Sequence, residues 1–329
     1  MFKSILIILF LMCSRLLIPG QGNLVLNPSF EEYYQCPYEG NQTDFAKFWT
    51  NPAASSSDYY NSCALIGFVS VPLNLNYSGF QPARTGNAYM GMVMNGPGTN
   101  DQAPREYIQG QLSCPLIKGY KYYVEFYTNL VNACPVATST MGVYFSTYQI
   151  DTNLTYELPY IPQVQNEPSN IISDTLNWVK VSGEFIAAGG EQYFIIGNFY
   201  PDSSSVIDTI YPENIIPFDD VGYYYVDDVS VILIDSITYE FSAPNVFTPN
   251  HDGINDAFII HTDSVVDMQL TIYNRWGGIV QQIDGLNHSW DGYTLSGSEA
   301  IEGIYFYVAI LTLPGCNTEI KNGFVHLFR

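Results

Sequence analysis

Lys121-Tyr122-Tyr123-Val124-Glu125-Phe126-Tyr127-Thr128 decides the fold class: Tyr122, Val124, Phe126 and Thr128 fall on one side of an extended chain, and Lys121, Tyr123, Glu125 and Tyr127 on the other. That period of two is the signature of a β-strand. It recurs where Val179, Val181 and Phe185 alternate with Trp178, Lys180 and Ser182, and where Tyr193, Ile195 and Phe199 interleave with Phe194 and Ile196. No stretch of a dozen residues carries a helical stripe, so the chain is expected to be nearly all β.

The strand expected at Tyr223–Ile234 is followed by a short joint, after which a new run of strands begins at Ala243-Pro244. This gives a leader over 1–22, a jelly-roll sandwich over 23–235, a linker over 236–243 and a small immunoglobulin-like sandwich over 244–329, its strands including Gln269–Asn274, Ile304–Leu311 and Gly323–Phe328. The leader rests on Lys3, the apolar run Ile5–Met12 and a small-residue exit at Pro19-Gly20-Gln21-Gly22. Ser14 and Arg15 interrupt the run before it reaches the length of a membrane span, so it reads as a secretory signal peptide and no transmembrane segment is expected.

Charge excludes one class of partner. The 329 residues carry 11 Lys+Arg against 32 Asp+Glu, a net charge of −21, and without the leader nine basic residues face 32 acids. Nucleic acid is bound by clustered Lys and Arg, which this chain lacks. Charged residues are 13% and aromatic residues 15% of the chain, a composition that opposes disorder.

Five cysteines follow the leader, an odd number that leaves one thiol over in an oxidising compartment. Cys36 and Cys63 both lie in Asn, Ser, Pro and Tyr-rich loop sequence and are paired on that basis. Pairing Cys114 with Cys134 is disfavoured, because the strand between them would hold their ends roughly 33 Å apart at about 3.3 Å per residue.

Catalytic constellations are scarce. All four histidines lie in the last 86 residues, and no nucleophile elbow, phosphate loop or dinucleotide fingerprint occurs. Acidic residues are plentiful, but no particular pair is marked for glycoside hydrolysis. The chain is therefore expected not to be an enzyme. The competing readings are a secreted hydrolase with paired carboxylates, or a structural surface or matrix protein.

Asn27-Pro28-Ser29-Phe30-Glu31, Trp178-Val179-Lys180-Val181-Ser182-Gly183 and Tyr225-Val226-Asp227-Asp228-Val229-Ser230-Val231 together resemble the jelly-roll carbohydrate-binding modules of the galactose-binding-like superfamily. The resemblance implies a structural calcium between the first and last strands, at Glu31 and Asp227 with the Ser29 carbonyl. Asp227 shares a strand face with Val229 and Val231 in a regular strand, so it would point to the core, where a bare carboxylate is costly unless paired or metal-bound. The alternatives are backbone N–H groups as its partners, or Asp228 as the inward acid. Sugar binding would use exposed aromatic faces and a few polar groups in a concave site. The candidates are Trp49, Tyr59, Tyr60, Tyr89 and Tyr107 with Arg84 and Arg105, against the plainer reading that each aromatic is core and each arginine a structural ion pair.

The segment Pro244-Asn245-Val246-Phe247-Thr248-Pro249-Asn250-His251-Asp252-Gly253-Ile254-Asn255-Asp256, then Ile272-Tyr273-Asn274-Arg275-Trp276-Gly277, Trp290-Asp291-Gly292, Gly303-Ile304-Tyr305-Phe306-Tyr307 and Gly323-Phe324-Val325-His326-Leu327-Phe328-Arg329, form an ordered series. It closely resembles the gliding-motility-associated C-terminal domain, the type B sorting domain of the type IX secretion system, with His251 where Gly is usual. The resemblance implies an exported protein, at the cell surface or outside the cell, whose partner is an outer-membrane translocon that reads this domain. Asn250, Asp252, Asn255 and Asp256 around Gly253 fit either a small calcium loop or an Asx-turn that needs no ion. Arg275 either pairs with a neighbouring acid or faces the translocon.

Overall fold

The computed structural model describes the backbone at 16–17 and residues 22–65, 67–74, 79–96, 104–210, 221–286 and 289–329. The leader expected over 1–22 lies almost wholly outside them. Among the described residues, no helix is long and apolar enough to cross a membrane. The chain divides into two compact units, 22–235 and 236–329.

The first unit is a sandwich of two five-stranded antiparallel sheets. Numbering strands from Trp49, its elements are β1 (Trp49–Thr50), β2 (Asp58–Asn61), β3 (Ala88–Asn95), β4 (Ile108–Gln111), β5 (Lys121–Leu130), β6 (Val136–Thr138), β7 (Gly142–Ser146), β8 (Val164–Gln165), β9 (Val179–Ile186), β10 (Tyr193–Gly197), β11 (Ile207–Thr209) and β12 (Gly222–Leu233). One sheet has the order β9-β5-β12-β3-β2 and the other β1-β4-β10-β7-β8, while β6 and β11 pair separately. The period of two in β5 sorts its residues as expected: Tyr122, Val124, Phe126 and Thr128 are buried, and Lys121, Tyr123, Glu125 and Tyr127 only partly so. Segment 22–26 ties the two sheets together, because the Leu24 amide donates to the Val231 carbonyl at 2.9 Å and the Leu26 amide to the Gln111 carbonyl at 3.0 Å.

Trp49 fills the space between the sheets. Its ring lies 4.6 Å from Phe30 and 5.5 Å from Phe194, and its indole N–H donates to the Asn27 carbonyl at 2.9 Å. Gly110 makes that packing possible, since a Cβ there would stand 2.4 Å from the Phe194 ring and 2.9 Å from Trp49. Cys36 and Cys63 are joined by a disulfide with Cα atoms 6.0 Å apart. Cys134 is a buried free thiol, so it makes no bridge to Cys114.

The second unit contains β13 (Thr238–Ser242), β14 (Val246–Phe247), β15 (Phe258–Ile259), β16 (His261–Asp263), β17 (Asp267–Tyr273), β18 (Ile279–Asp284), β19 (Ser289–Trp290), β20 (Gly303–Thr312) and β21 (Thr318–Leu327). Five of these form the sheet β14-β21-β20-β17-β18, in which only β14 runs parallel to its neighbour. Its buried face packs Met268, Leu270, Ile272, Tyr305, Tyr307, Ala309, Leu311 and Val325 against Phe247, Phe258 and Trp290. The linker expected over 236–243 is corrected by this unit: residues 238–242 are a strand paired with His261–Asp263, and Tyr239 is buried in the core. The alternation of Ile237, Tyr239 and Phe241 with polar neighbours carries that strand.

Candidate functional site

The aromatic platform expected on the first unit does not exist as a surface. Trp49, Tyr59, Tyr60, Tyr89 and Tyr107 are all buried, and Arg105 is buried with them. Trp49 belongs to the space between the sheets. Tyr60, Tyr89 and Tyr225 form a second cluster, with Tyr60 stacked on Tyr89 at 5.1 Å and Tyr225 4.7 Å from Tyr89. Tyr107 packs on Phe199 and donates to the Asn198 carbonyl at 2.6 Å. A period-two pattern tells which residues share a face but not whether a loop covers that face, which is why buried and exposed tyrosines look alike in sequence.

Arg84 is separate from all of these. Its guanidinium lies 3.3 Å over the Tyr127 ring and pairs with Asp228. Asp228 also accepts from Ser29 Oγ and from Thr85 Oγ1, each at 2.5 Å. Arg84 is thus a structural ion pair on the face carrying Tyr127.

Asp227 corrects the expected strand geometry. The register of β12 against β5 slips between Asp227 and Ser230, and Asp228 has φ 50°. Asp227 therefore pairs with Tyr127, on the outer face, while Val231 pairs with Val124 on the inner face. One extra residue in a bulge flips every later side chain. Asp227 is buried beneath loop 84–88 rather than in the core: its Oδ2 accepts the Arg84 and Thr85 amides at 2.8 and 3.3 Å, and its Oδ1 the Asp228 amide at 2.7 Å. Burial, and then the neighbouring Asp228 carboxylate, push its carboxyl up to about 8. Glu31 holds the other end of the same loop, its Oε1 accepting the Asn87 and Ala88 amides at 2.7 and 3.0 Å.

These contacts do not fit the calcium implied by the resemblance. Glu31 Oε1 and both Asp227 oxygens accept backbone N–H groups, Glu31 Oε2 accepts from the Asn87 side-chain amide, Asp228 accepts from Arg84 and two hydroxyls, and among the described residues no three acidic, His or Cys side chains converge as a metal site. The C-terminal loop behaves likewise. Asp256 accepts the His251 and Gly253 amides at 2.6 and 2.8 Å, Asn250 Oδ1 accepts the Asp252 amide at 3.1 Å, and Asp252 accepts the Ile254 amide at 2.8 Å. This is Asx-turn chemistry. His251, Gly253 and Asn255 all have positive φ, of 64°, 82° and 56°, which accounts for glycine being at home at position 251.

An open site does exist, on the outer face of the sheet that contains β4. Gly110 and Phe194 face inward, so Gln109, Gln111 and Tyr193 face out, Tyr193 directly opposite Gln111. Tyr34 and Phe48, both exposed, stand over this face together with Asp44, Thr50 and Gln149. The cleft they enclose measures about 330 Å³, and the buried Trp49 is among its lining residues. Gln109 is committed to the scaffold: its amide donates to the Ile150 carbonyl at 3.0 Å and accepts from the Ile150 amide at 2.8 Å. That leaves Gln111, Gln149 and Asp44 as the planar polar groups facing the opening. The signal for this site lay in Ile108-Gln109-Gly110-Gln111, where two glutamines alternate with residues that must pack inward.

One carboxylate of this unit has a pKa in the range of a general acid without being placed to act as one. Glu106 is pushed up to about 7 by burial and by Asp58, yet it is buried and its oxygens accept from Ser56 Oγ at 2.6 Å and from the Val93 amide at 2.8 Å.

In the second unit, Arg329 is anchored by Glu299 at 3.2 Å and by the Gly292 carbonyl at 3.1 Å. Trp276 is 84% exposed at the turn between β17 and β18, where Gly277 has φ 79°, and the Arg275 guanidinium lies 5.7 Å from its ring.

No curated protein matches the chain. Among solved structures it is similar to the CBM22-1 xylan-binding domain of Paenibacillus barcinonensis Xyn10C, at 12% identity over 66% of this chain and 99% of that one, with a TM-score of 0.32. It is also similar to the adhesin domain of Epf from Streptococcus pyogenes, at 11% identity over 93% and 97% of the two chains and a TM-score of 0.34. A third is the K1 cleaved adhesin domain of Lys-gingipain from Porphyromonas gingivalis W83, at 14% identity over 63% and 96% and a TM-score of 0.29. Residues 241–327 match the CHU_C type IX secretion signal domain. The second unit, a sandwich whose Arg275-Trp276-Gly277 turn stands in solvent, is thus a type IX secretion signal domain, and the chain that carries it is an exported protein of the cell surface or the extracellular space.

Proposed function

We propose that unit 22–235 is a non-catalytic carbohydrate-binding or adhesion module, which the type IX signal delivers through the secretion translocon. The observation that carries this reading is the cleft in which Tyr34, Phe48 and Tyr193 surround Gln111, Gln149 and Asp44. A pyranose ring presents apolar C–H faces and a rim of hydroxyls. Aromatic side chains cover the former, and amides and carboxylates pair with the latter. No Lys or Arg lines the cleft, and Lys47, 6.0 Å over the Tyr34 ring, is paired with Glu32. In a unit with six basic residues among 22 acids, the ligand is a neutral glycan, because a uronate or sulfated chain would be repelled.

The test is a glycan array probed with the whole chain and with Tyr34→Ala. Binding to neutral polysaccharides that Tyr34→Ala abolishes supports the reading. Retention of binding by Tyr34→Ala, or binding confined to anionic glycans, refutes it.

A further inference from the structure

We infer that the secretion signal domain is read through the outward face of β20 and β21, and that the surface docking there is an apolar protein patch with a basic rim. The inference rests on the second unit being the sorting signal and specifies which of its surfaces is recognised.

A strand in a two-layer unit normally turns apolar residues inward and polar residues to water. Here β20 and β21 break that rule. Inward, Tyr305, Tyr307, Ala309 and Leu311 of β20 and Val325 and Leu327 of β21 join the core, yet large apolar residues also stand outward: Ile304, Phe306 and Ile310 on one strand, Ile320 and Phe324 on the next, all exposed. The register sets them directly side by side, with Phe306 opposite Phe324 and Ile310 opposite Ile320. The outward row of β20 contains no ionised side chain from Ile304 to Thr312, nor does that of β21 from Thr318 to Phe324. At one end the face runs into a cleft of about 280 Å³ lined by Ile304, Ile301, Arg275 and Trp276. Trp276 is exposed; Trp and Arg are the residues that most often anchor protein interfaces, and apolar faces of this continuity mark interaction sites.

Charge selects the occupant. From residue 244 onward there are three basic residues and nine acids. The acids Glu299 and Glu302 line the cleft at one end of the face, and exposed Asp267 and Asp284 stand on the strands at its other side. A second copy would bring the same acidic rim against itself, and an anionic lipid surface would repel it. An apolar patch bordered by Lys and Arg meets both the face and its border, and in a sorting domain that patch belongs to the secretion machinery.

The experiment follows delivery of the full chain to the surface or medium in a bacterium with a type IX route, comparing wild type, Phe306→Ser/Phe324→Ser, Trp276→Ala and a chain lacking 241–329. At least a tenfold drop in delivery for Phe306→Ser/Phe324→Ser, with thermal unfolding of the purified chain unchanged, is the expected result. Should that pair unfold, Trp276→Ala decides alone, with the same drop expected. Normal delivery of the folded variants while the truncated chain is retained overturns the docking face and leaves the sorting reading standing. Normal delivery of the truncated chain overturns the sorting reading itself. A wild-type dimer, or sedimentation with anionic vesicles, that the same substitutions abolish assigns the face to another occupant and also overturns the inference.

Discussion

Asp227 pairs with Tyr127 across β12 and β5, on the outer face of its sheet, whereas Val231 pairs with Val124 on the inner face. The bulge at Asp228 turns a carboxylate out of the core and under the amides of Arg84 and Thr85. Two ends of the chain's first unit are closed by this arrangement, because Ser29 and Glu31 from its beginning and Asp227 and Asp228 from its last strand all hold loop 84–88.

Asp228→Ala removes the acceptor of the Arg84, Ser29 and Thr85 hydrogen bonds and is expected to destabilise the first unit by about 1–3 kcal/mol. Urea unfolding of the full chain, followed by the transition of this unit, measures it. Because the carboxylates already have protein donors, the unfolding midpoint is expected to be the same in EDTA and in millimolar calcium. A rise of several degrees with calcium would show an ion at Glu31 and Asp227 after all.

Glu106 makes stability depend on pH in a defined direction. Its folded pKa of about 7 lies above the ordinary value of 4.5, so the neutral acid is the form that the fold favours. That contribution is complete below about pH 4.5 and is lost as pH rises through about 7. Thermal unfolding of the first unit is expected to fall by several degrees between pH 5 and pH 8, and Glu106→Gln to reduce that dependence, leaving the part that the raised Asp227 carboxyl contributes in the same direction. A midpoint that rises over the same interval contradicts it.

Two aromatic residues that touch the same cleft should behave oppositely. Trp49→Ala empties a site between the sheets and is expected to cost about 3–5 kcal/mol. Tyr34→Ala, at an exposed position, should leave stability within about 0.5 kcal/mol while lowering glycan affinity. Denaturation and binding measured on both variants separate the two roles.

Among the described residues Cys134 is the free thiol, and burial pushes it up to about 12. A thiol-specific reagent is expected to leave the native chain unlabelled at this position and to label it only on unfolding. Rapid labelling of the native protein would contradict its burial.

The strands were legible where inward and outward residues differ at period two, as in Lys121–Leu130 and Asp267–Tyr273, and less so where both faces are buried, as in Ala88–Asn95. Three things were hidden. The bulge at Asp228 changes no residue type in a way that periodicity detects, although two adjacent aspartates in a strand are unusual enough to mark an irregularity. The burial of Tyr60, Tyr89 and Tyr225 depends on a covering segment that includes Asn74, whose amide donates to Tyr225 at 2.8 Å from 151 residues away in sequence. The cleft joins Tyr34, Gln111, Gln149 and Tyr193 from four separate segments, so only its two alternating glutamines leave a local trace.

Isothermal titration of the full chain with a soluble neutral oligosaccharide of the kind bound on the array tests the cleft at Tyr34 and Tyr193. A single site per chain is predicted, with affinity reduced at least tenfold in both Tyr34→Ala and Tyr193→Ala and unchanged in Arg84→Ala. Equal affinity in wild type and both tyrosine variants, or loss of binding only in Arg84→Ala, would contradict the assignment of the cleft.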